Sequence, residues 1–599
     1  MADGDDGTDT SGGLQVDLFH PESDREPGDT NIERWGFDVH PKVFPISCFV
    51  IGVFIALTLL FEDVAALVGL TTADGGAMTA SDAYGLVFTA LTDAFGWFYI
   101  LAVNVFILVV LYFAFGRFGT IRLGGVRAEP EFSDFAWMAM LFSAGMGIGL
   151  MFYSVAEPLF HFQSGGGPFF GLPEESSASG GAALALTFFH WGIHPWAVYA
   201  LVGLGLAFFS FNRGLPLTFR SIFWPLLGDR IYGWPGHVID LVTVFATLFG
   251  LSTSLGLGVR QINAGLGFVG REFLGVAIPT TPLVQVGIIA FITAIATLSV
   301  AAGLDGGVKR LSTLNLYLMV SLLGFMLVVG PTLFVLDGFV QSLGTYATNL
   351  AALSLFTESF TGSSSSWQGE WTVFYWAWWI AWSPFVGMFI ARISKGRTVR
   401  EFVVGVLFLP SLFSFLWLST FGGSALFVEL RRQSGGLTGP LAEQGRSVAM
   451  FELLGFFPLT AVTSTVTVIL VGTFFVTSSD SGSLVIDHLT SGGKQDVPRV
   501  QRVFWAVTEG AVAAVLLVGG GLGALQTASI TSGLPFAVVL LVMCYTVYLG
   551  LDNEYEILDS EEFAERIQEI TDDDTVAVER TGGSVVTDVT DDDSSPTDD

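Results

Sequence analysis

Four tryptophans fall within seven positions of this chain: Trp376, Trp378, Trp379 and Trp382, in the stretch FYWAWWIAW at 374–382. Each indole brings a large apolar face, a negative π surface and an N–H that needs a partner when buried. At 100° per helical residue, Trp378, Trp379 and Trp382 lie within about 100° of one another and share a face, while Trp376 points off it. Such a face can hold a cation through its ring quadrupoles, each ring contributing roughly 0.5–2 kcal/mol. The competing explanation is a bulky core or an aromatic belt at a membrane surface. A second group, HWGIHPWAVYA at 190–200, sets Trp191, Trp196 and Tyr199 within about 140° of one another on a helix wheel. Neither face carries Lys, Arg or Asp, so a cation between them would be held by π faces rather than by a carboxylate. Quaternary ammonium suits such a box, because it donates no hydrogen bond and desolvates cheaply.

The elements that must position these faces are membrane helices. Of 599 residues, 51% are apolar and only 13% charged, and the mean hydropathy is +0.63. A soluble chain carries about twice that charge. Twelve apolar runs are long enough to cross a bilayer: 43–68, 90–116, 134–162, 182–211, 237–262, 281–303, 314–337, 371–394, 400–428, 457–488, 501–520 and 524–551. The expected fold class is an all-α polytopic membrane protein with twelve transmembrane helices. With both termini placed in the cytoplasm, 20 of the 25 basic residues fall on the inside. That bias supports the orientation and an even helix count.

Residues 1–42 hold 11 acids and 3 bases and residues 552–599 hold 18 acids and 2 bases, so the two tails supply −24 of the net charge of −30. They are expected to be solvated and largely unstructured. Only 4 basic residues are lysine, and acid-rich, lysine-poor tails suit the salt-loaded cytoplasm of a halophile. The first apolar run is too long for a secretory signal. Cys48 and Cys544 sit in apolar runs and suggest neither a disulfide framework nor a metal site. SLGLG at 254–258 superficially looks like a nucleotide loop, but no strand precedes it, and close helix packing is the better account.

Two of the runs carry interruptions. In the helix at 134–162, Gly145, Gly147 and Gly149 fall at mid-membrane depth, each weakening a helix by about 1 kcal/mol relative to alanine. Unwound backbone there is tolerated only where protein buries it or it lines a cavity; GxxxG-type packing is the alternative. Five helices later the tryptophan segment meets SPFVG at 383–387, where Pro384 removes an N–H. Interrupted helices at equivalent places point to an inverted-repeat transporter with its substrate between them. The expected organisation is a tail (1–42), two preceding helices and a loop (43–133), a first five-helix repeat (134–337), an external connection with an amphipathic helix (338–370), a second repeat (371–551) and a tail (552–599).

GMGIGLMFYSVAEPL at 145–159, HWGIHPWAVYA, and WAWWIAWSPFVGMFIARIS at 376–394 resemble the signatures of the betaine/choline/carnitine transporters, over roughly 41–551. The resemblance implies a leucine-transporter-type inverted repeat of five plus five helices and a sodium-coupled carrier. Its aromatic substrate box maps onto Trp191, Trp196, Tyr199, Trp378, Trp379 and Trp382. The substrate carboxylate would lie on the unwound backbone at Ala144 and Met146. The family's sodium site maps onto the carbonyls of Ser143, Met146 and Phe474 and the hydroxyls of Thr477 and Ser478, oxygen donors that suit a hard cation. Without the family, Thr477 and Ser478 would be read as hydroxyls bonding back to their own helix. A second sodium site would use Thr247, with Ser254 and Phe385 as contributors. Leu251 stands where sodium-coupled members have a second threonine, which puts a two-sodium stoichiometry in doubt.

The same resemblance implies glycine betaine, or a related trimethylammonium solute such as choline or carnitine, as substrate, with ectoine and proline as other solutes the box could share. It implies sodium as coupling ion, no organic cofactor and a homotrimer in the cell membrane; no nucleic-acid partner is expected. Choline carriers of this type have an acidic residue where Gly149 stands, which favours betaine over proton-coupled choline uptake. A membrane-embedded enzyme or sensor is the reading from another class. An enzyme would need a nucleophile–base pair or a metal set, and His190 with His194 is the nearest approach to one. Glu157 and Asp480 are functional candidates as intramembrane carboxylates, against helix-end solvation for Glu157 and a helix cap for Asp480. Glu509 and Asp240 are expected near the interfaces.

Overall fold

Long apolar stretches in a bilayer must satisfy their own backbone, so they become helices. The computed structural model describes residues 27–72, 75–145, 147–301, 305–361, 367–494, 496–559, 576–581 and 584–589. The principal helices are α1 (Val43–Leu59), α2 (Ala80–Phe115), α3 (Asp134–Gly145), α4 (Ile148–Gln163), α5 (Ser177–Trp191), α6 (Ile193–Phe211) and α7 (Trp234–Val269). They continue as α8 (Pro282–Ala301), α9 (Asp305–Val329), α10 (Thr332–Ser354), α11 (Phe374–Ile393), α12 (Val399–Phe427), α13 (Thr460–Thr490) and α14 (Arg499–Leu558). Among the described residues nine helices are long and apolar enough to cross a membrane, or eleven when two bent pairs each count as one. The bent pairs are α1 with Phe61–Val68, at 70°, and α3 with the helix that follows it, at 64°. The chain is thus a multi-pass membrane protein.

The first expected interruption is present. Gly147 is fully extended (φ −166°, ψ −176°) between α3 and α4, and Gly149 already belongs to the first turn of α4. The second is not. α11 runs without a break from Phe374 to Ile393 with Pro384 inside it. Proline 384 cannot donate to the carbonyl of Ile380, but the Ser383 hydroxyl does so instead, at 2.8 Å. The orphaned acceptor is satisfied and the helix continues.

A break does occur in the 190–200 segment. α5 ends at Trp191, Gly192 leaves helical geometry (φ −97°, ψ −131°), and α6 starts at Ile193. Pro195 is the cause: its ring excludes the carbonyl of Trp191, four residues back, and it has no N–H to offer. Trp191 therefore closes one helix while Trp196 and Tyr199 open the next.

Helices in lipid associate by close packing, and small residues let backbones approach. Three glycines grip α11 this way. A Cβ on Gly250 of α7 would sit 2.9 Å from the Ala381 carbonyl carbon, and one on Gly533 of α14 would sit 2.8 Å from the Ala377 oxygen. On α11 itself, a Cβ on Gly387 would meet Val202 of α6 at 2.3 Å. The SLGLG glycines pack likewise, Gly256 against Leu525 and Gly258 against Ile148.

The N-terminal segment is not wholly a solvated tail. Strands Ile32–Arg34 and Phe37–Val39 pair antiparallel and dock on the ends of α13 and α14. Asp38 pairs with Lys494 and its amide donates to Gln501 Oε1 at 3.0 Å. The His40 amide donates to the Thr490 carbonyl at 2.8 Å. At the other end, α14 extends to Leu558, and Val576–Thr581 pairs with Ser584–Val589.

Candidate functional site

One cavity gathers nearly all the residues singled out above. It is walled by Trp191, Trp196, Tyr199, Trp378, Trp379 and Trp382, and also by Ser143, Ser254, Phe385, Phe474, Thr477 and Ser478. Its volume is about 190 Å³, many times what one water needs. No charged side chain is among its described lining residues.

The rings form connected walls. Trp378 and Trp379 stack at 4.7 Å and 15°, and Trp191 meets Trp379 edge-on at 4.9 Å and 73°. Trp196 meets Tyr199 at 5.3 Å, and Tyr199 reaches Trp379 at 6.4 Å, both at 80°. Trp382 lies 5.0 Å from Phe385. These mutually tilted faces are the geometry a compact cation needs, with π surface on several sides. Two of the indole N–H groups have fixed acceptors: Trp378 donates to Ser254 Oγ at 3.2 Å and Trp379 to the His190 carbonyl at 3.1 Å. Trp376 is not in the lining. It is fully buried and stacks on His194 at 5.0 Å and 7°, as its place on the helix wheel requires.

The expected cation donors divide. Ser143, at the end of α3, faces the same cavity as Phe474, Thr477 and Ser478 of α13. Thr477 Oγ1 donates to the carbonyls of Thr473 and Phe474, at 3.1 and 3.2 Å, and receives Asn315 Nδ2 at 3.4 Å. Back-bonding and a place in the cavity wall thus coexist in one residue. Ala144 lies in the last turn of α3, and Met146 lies outside the described residues. Of the second set, Ser254 and Phe385 line the cavity but Thr247 does not; it is buried, with its hydroxyl on the Thr243 carbonyl at 2.7 Å. Leu251 is fully buried and fills the notch left by Gly482 on α13, where a Cβ would come within 2.3 Å of it.

Other residues came to the site unforeseen. α9 contributes Ser312, Asn315, Leu316 and Met319, and α12 contributes Ser414. Asn315, buried at 4% exposure, was findable as an amide in an otherwise apolar run, since a polar group at that depth needs a partner.

Glu157 is no solvated helix end but fully buried. His190 and His194 do not form a pair: His194 Nε2 meets Ser354 Oγ at 2.8 Å, and His190 bonds Glu157 and Thr372. The group with metal-ligand spacing among the described residues is instead Glu157, His161 and His190, whose ligand atoms lie within 4.8 Å of one another. Both oxygens of the carboxylate are already taken, by Trp191, Tyr375 and His190. Asp480 caps nothing, since α13 continues past it; it faces Arg502 at 3.3 Å. Asp240 pairs with Arg220, and Glu509 accepts from Ser479 Oγ at 3.1 Å; both carboxylates are buried within the protein.

Gly149 lies under the rims of two box rings. A Cβ there would stand 2.5 Å from Trp378 Cη2 and 3.1 Å from Trp191 Cη2, so an acidic side chain does not fit without moving the box.

Residues 42–556 match the model of the betaine/carnitine/choline family transporters. The chain is 43% identical over 550 residues to glycine betaine transporter 1 of Vibrio parahaemolyticus, covering 90% of this chain and 99% of that one. It is 42% identical over 571 residues to a glycine betaine/proline/choline transporter of the same organism, covering 91% and 98%. It is 46% identical over 472 residues to a probable glycine betaine transporter of Desulfitobacterium hafniense, covering 78% and 92%. With the aromatic cavity and the match in hand, the chain belongs to the betaine/carnitine/choline transporter family, whose members are transporters and not enzymes.

Proposed function

We propose that this protein imports glycine betaine, or a closely related quaternary-ammonium solute, by sodium symport and alternating access, for osmotic adaptation. The observation that carries this reading is the cavity, which joins six indole and phenol rings to oxygen donors and has no charged side chain in its described lining. A zwitterion needs no net counter-charge, whereas a choline cation does. The crowding at Gly149 supports the same preference, because it leaves no room for the acid that choline carriers use. The names of the relatives, which include proline and choline, make these the first competitors to try.

The finer architecture belongs to the same proposal. The 60 residues of α14 would span about 90 Å if straight, some three bilayer cores. They leave helical geometry at Gly521 (φ 59°, ψ −130°). Divided there, the eleven spans become twelve, in a leucine-transporter-type arrangement of two helices followed by five plus five. Both termini then lie in the cytoplasm of a cell-membrane protein. Homotrimer assembly through α10 is part of the reading, supported by exposed Leu333, Leu336 and Val340 along that helix.

The test is uptake of labelled betaine into proteoliposomes, with sodium or potassium outside and with choline, carnitine, proline and ectoine as competitors. Sodium-dependent uptake blocked best by unlabelled betaine is expected. Full uptake in sodium-free buffer driven by a proton gradient would overturn the coupling. Stronger competition by choline than by betaine would overturn the substrate.

A further inference from the structure

The box is lined without a carboxylate, yet one sits directly behind it. Glu157, two turns beyond Gly149 on α4, is fully buried. Its Oε2 accepts the Trp191 indole N–H at 2.8 Å and the Tyr375 O–H at 2.6 Å. Its Oε1 lies 2.7 Å from His190 Nδ1 and 3.4 Å from His161 Nε2. On the far side of the imidazole, His190 Nε2 is 3.0 Å from Thr372 Oγ1. A neutral His190 carrying its proton on Nδ1 satisfies both contacts: it donates to Glu157 and accepts from the threonine hydroxyl.

Two walls of the box depend on this carboxylate. Trp191 is held directly. Trp379 is held at one remove, stacked on Tyr375 at 5.8 Å and 21° and donating to the carbonyl of His190. Hydrogen bonds to an ionised acceptor are roughly twice as strong as neutral ones, and a buried carboxylate is stable only when its lone pairs are so engaged. An anion accepting the indole N–H also pushes electron density into the ring and deepens the negative face that attracts a cation. In a low-dielectric interior its charge is felt across the box.

On the betaine reading above, we infer that Glu157 is a positioning and specificity-determining residue: it orients Trp191 and Tyr375 and makes the box select positive charge rather than shape. It does not itself touch substrate.

The probe is the pair of glycine betaine and its uncharged-headed isostere 3,3-dimethylbutanoate, in which carbon replaces the quaternary nitrogen. Binding of each is measured as inhibition of labelled betaine uptake in wild type, Glu157→Gln and Trp191→Phe. Wild type is expected to prefer betaine. Glu157→Gln removes the charge at constant volume and should weaken betaine about tenfold, the size of one charged hydrogen bond, while leaving the isostere unchanged within about twofold. Trp191→Phe keeps a π face and the carboxylate but cuts the bond between them. It should lower the betaine-to-isostere ratio about threefold, a step of under one charged hydrogen bond, and stands as the test if Glu157→Gln fails to fold. Equal loss of both ligands in Glu157→Gln, or an unchanged ratio in Trp191→Phe, overturns the inference and leaves the betaine reading intact. Failure of wild type to bind betaine overturns that reading itself.

Discussion

The two tryptophans at 376 and 379 provide the sharpest separation of site from scaffold. Trp379 lines the cavity at 7% exposure, and its face is set by Trp378 at 4.7 Å and Trp191 at 4.9 Å. Trp376 is fully buried, packed on His194 and on Phe189 at 5.2 Å, and is not among the residues that line the cavity. Trp379→Leu deletes one cation–π face worth roughly 0.5–2 kcal/mol, a fall of about 2- to 30-fold in betaine affinity. It also leaves the His190 carbonyl without its indole donor, at a further cost of about 1 kcal/mol in stability. Trp376→Leu removes a ring from a filled core, where large-to-small changes cost about 2–4 kcal/mol, and no substrate-facing surface is lost. The expected outcome is a divergence: KM for betaine rises in Trp379→Leu, and the melting temperature falls more in Trp376→Leu at near-native KM. Purified protein, reconstituted for uptake and melted in detergent, supplies both numbers. Equal rises in KM from the two variants would refute the cage and return both rings to packing.

Thr477→Ala removes the hydroxyl of a cavity-lining residue and should raise the sodium concentration for half-maximal uptake, measured at saturating betaine, while betaine KM at saturating sodium moves less. Leu251→Thr should lower the melting temperature by opening the notch at Gly482, a loss of about 1–3 kcal/mol, and leave the sodium Hill coefficient unchanged, because the side chain does not face the cavity. A coefficient that rises in this variant would show that a second ion site had been restored there. His40 Nδ1 accepts the amides of Lys42 and Val43, at 3.3 and 3.2 Å, at the start of α1. Burial, with Arg220, His237 and Lys42 nearby, holds its pKa down at about 3, against 6.5 when free. The free form gains a proton first, so the contribution of His40 to the docked N-terminal segment is complete above about pH 6.5 and is lost as the pH falls from there toward 3. The protection factors of residues 31–39 against hydrogen exchange, taken relative to the intrinsic rate at each pH, should be lower at pH 5 than at pH 8, and His40→Gln should flatten that dependence.

Much of this protein was legible in one dimension because a bilayer leaves the chain few choices. Apolar runs become helices with a fixed 100° step, so the shared face of Trp378, Trp379 and Trp382, and the exclusion of Trp376 from it, follow from spacing alone. The glycine break before Ile148 was legible for the same reason, since glycine weakens a helix locally whatever surrounds it. The proline positions show where local reasoning stops. Pro384 was expected to interrupt α11, but a neighbouring hydroxyl, Ser383 on the Ile380 carbonyl, satisfies the acceptor. Pro195 does break its helix, and the Trp191 N–H next to that break bonds a carboxylate on another helix.

What tertiary structure alone decided is which polar group meets which. Glu157 and Trp191 are 34 residues apart, and Asn315 and Thr477 are 162 apart; no helical period links them. Thr247 and Ser254 lie two turns apart on nearly the same face of one helix, yet only Ser254 reaches the cavity wall, while Thr247 is buried with its hydroxyl on the Thr243 carbonyl. Helix formation and facial periodicity are written in the local chain, whereas the pairing of buried polar groups depends on how close two backbones come. That distance is set by the side chains of both partners at once.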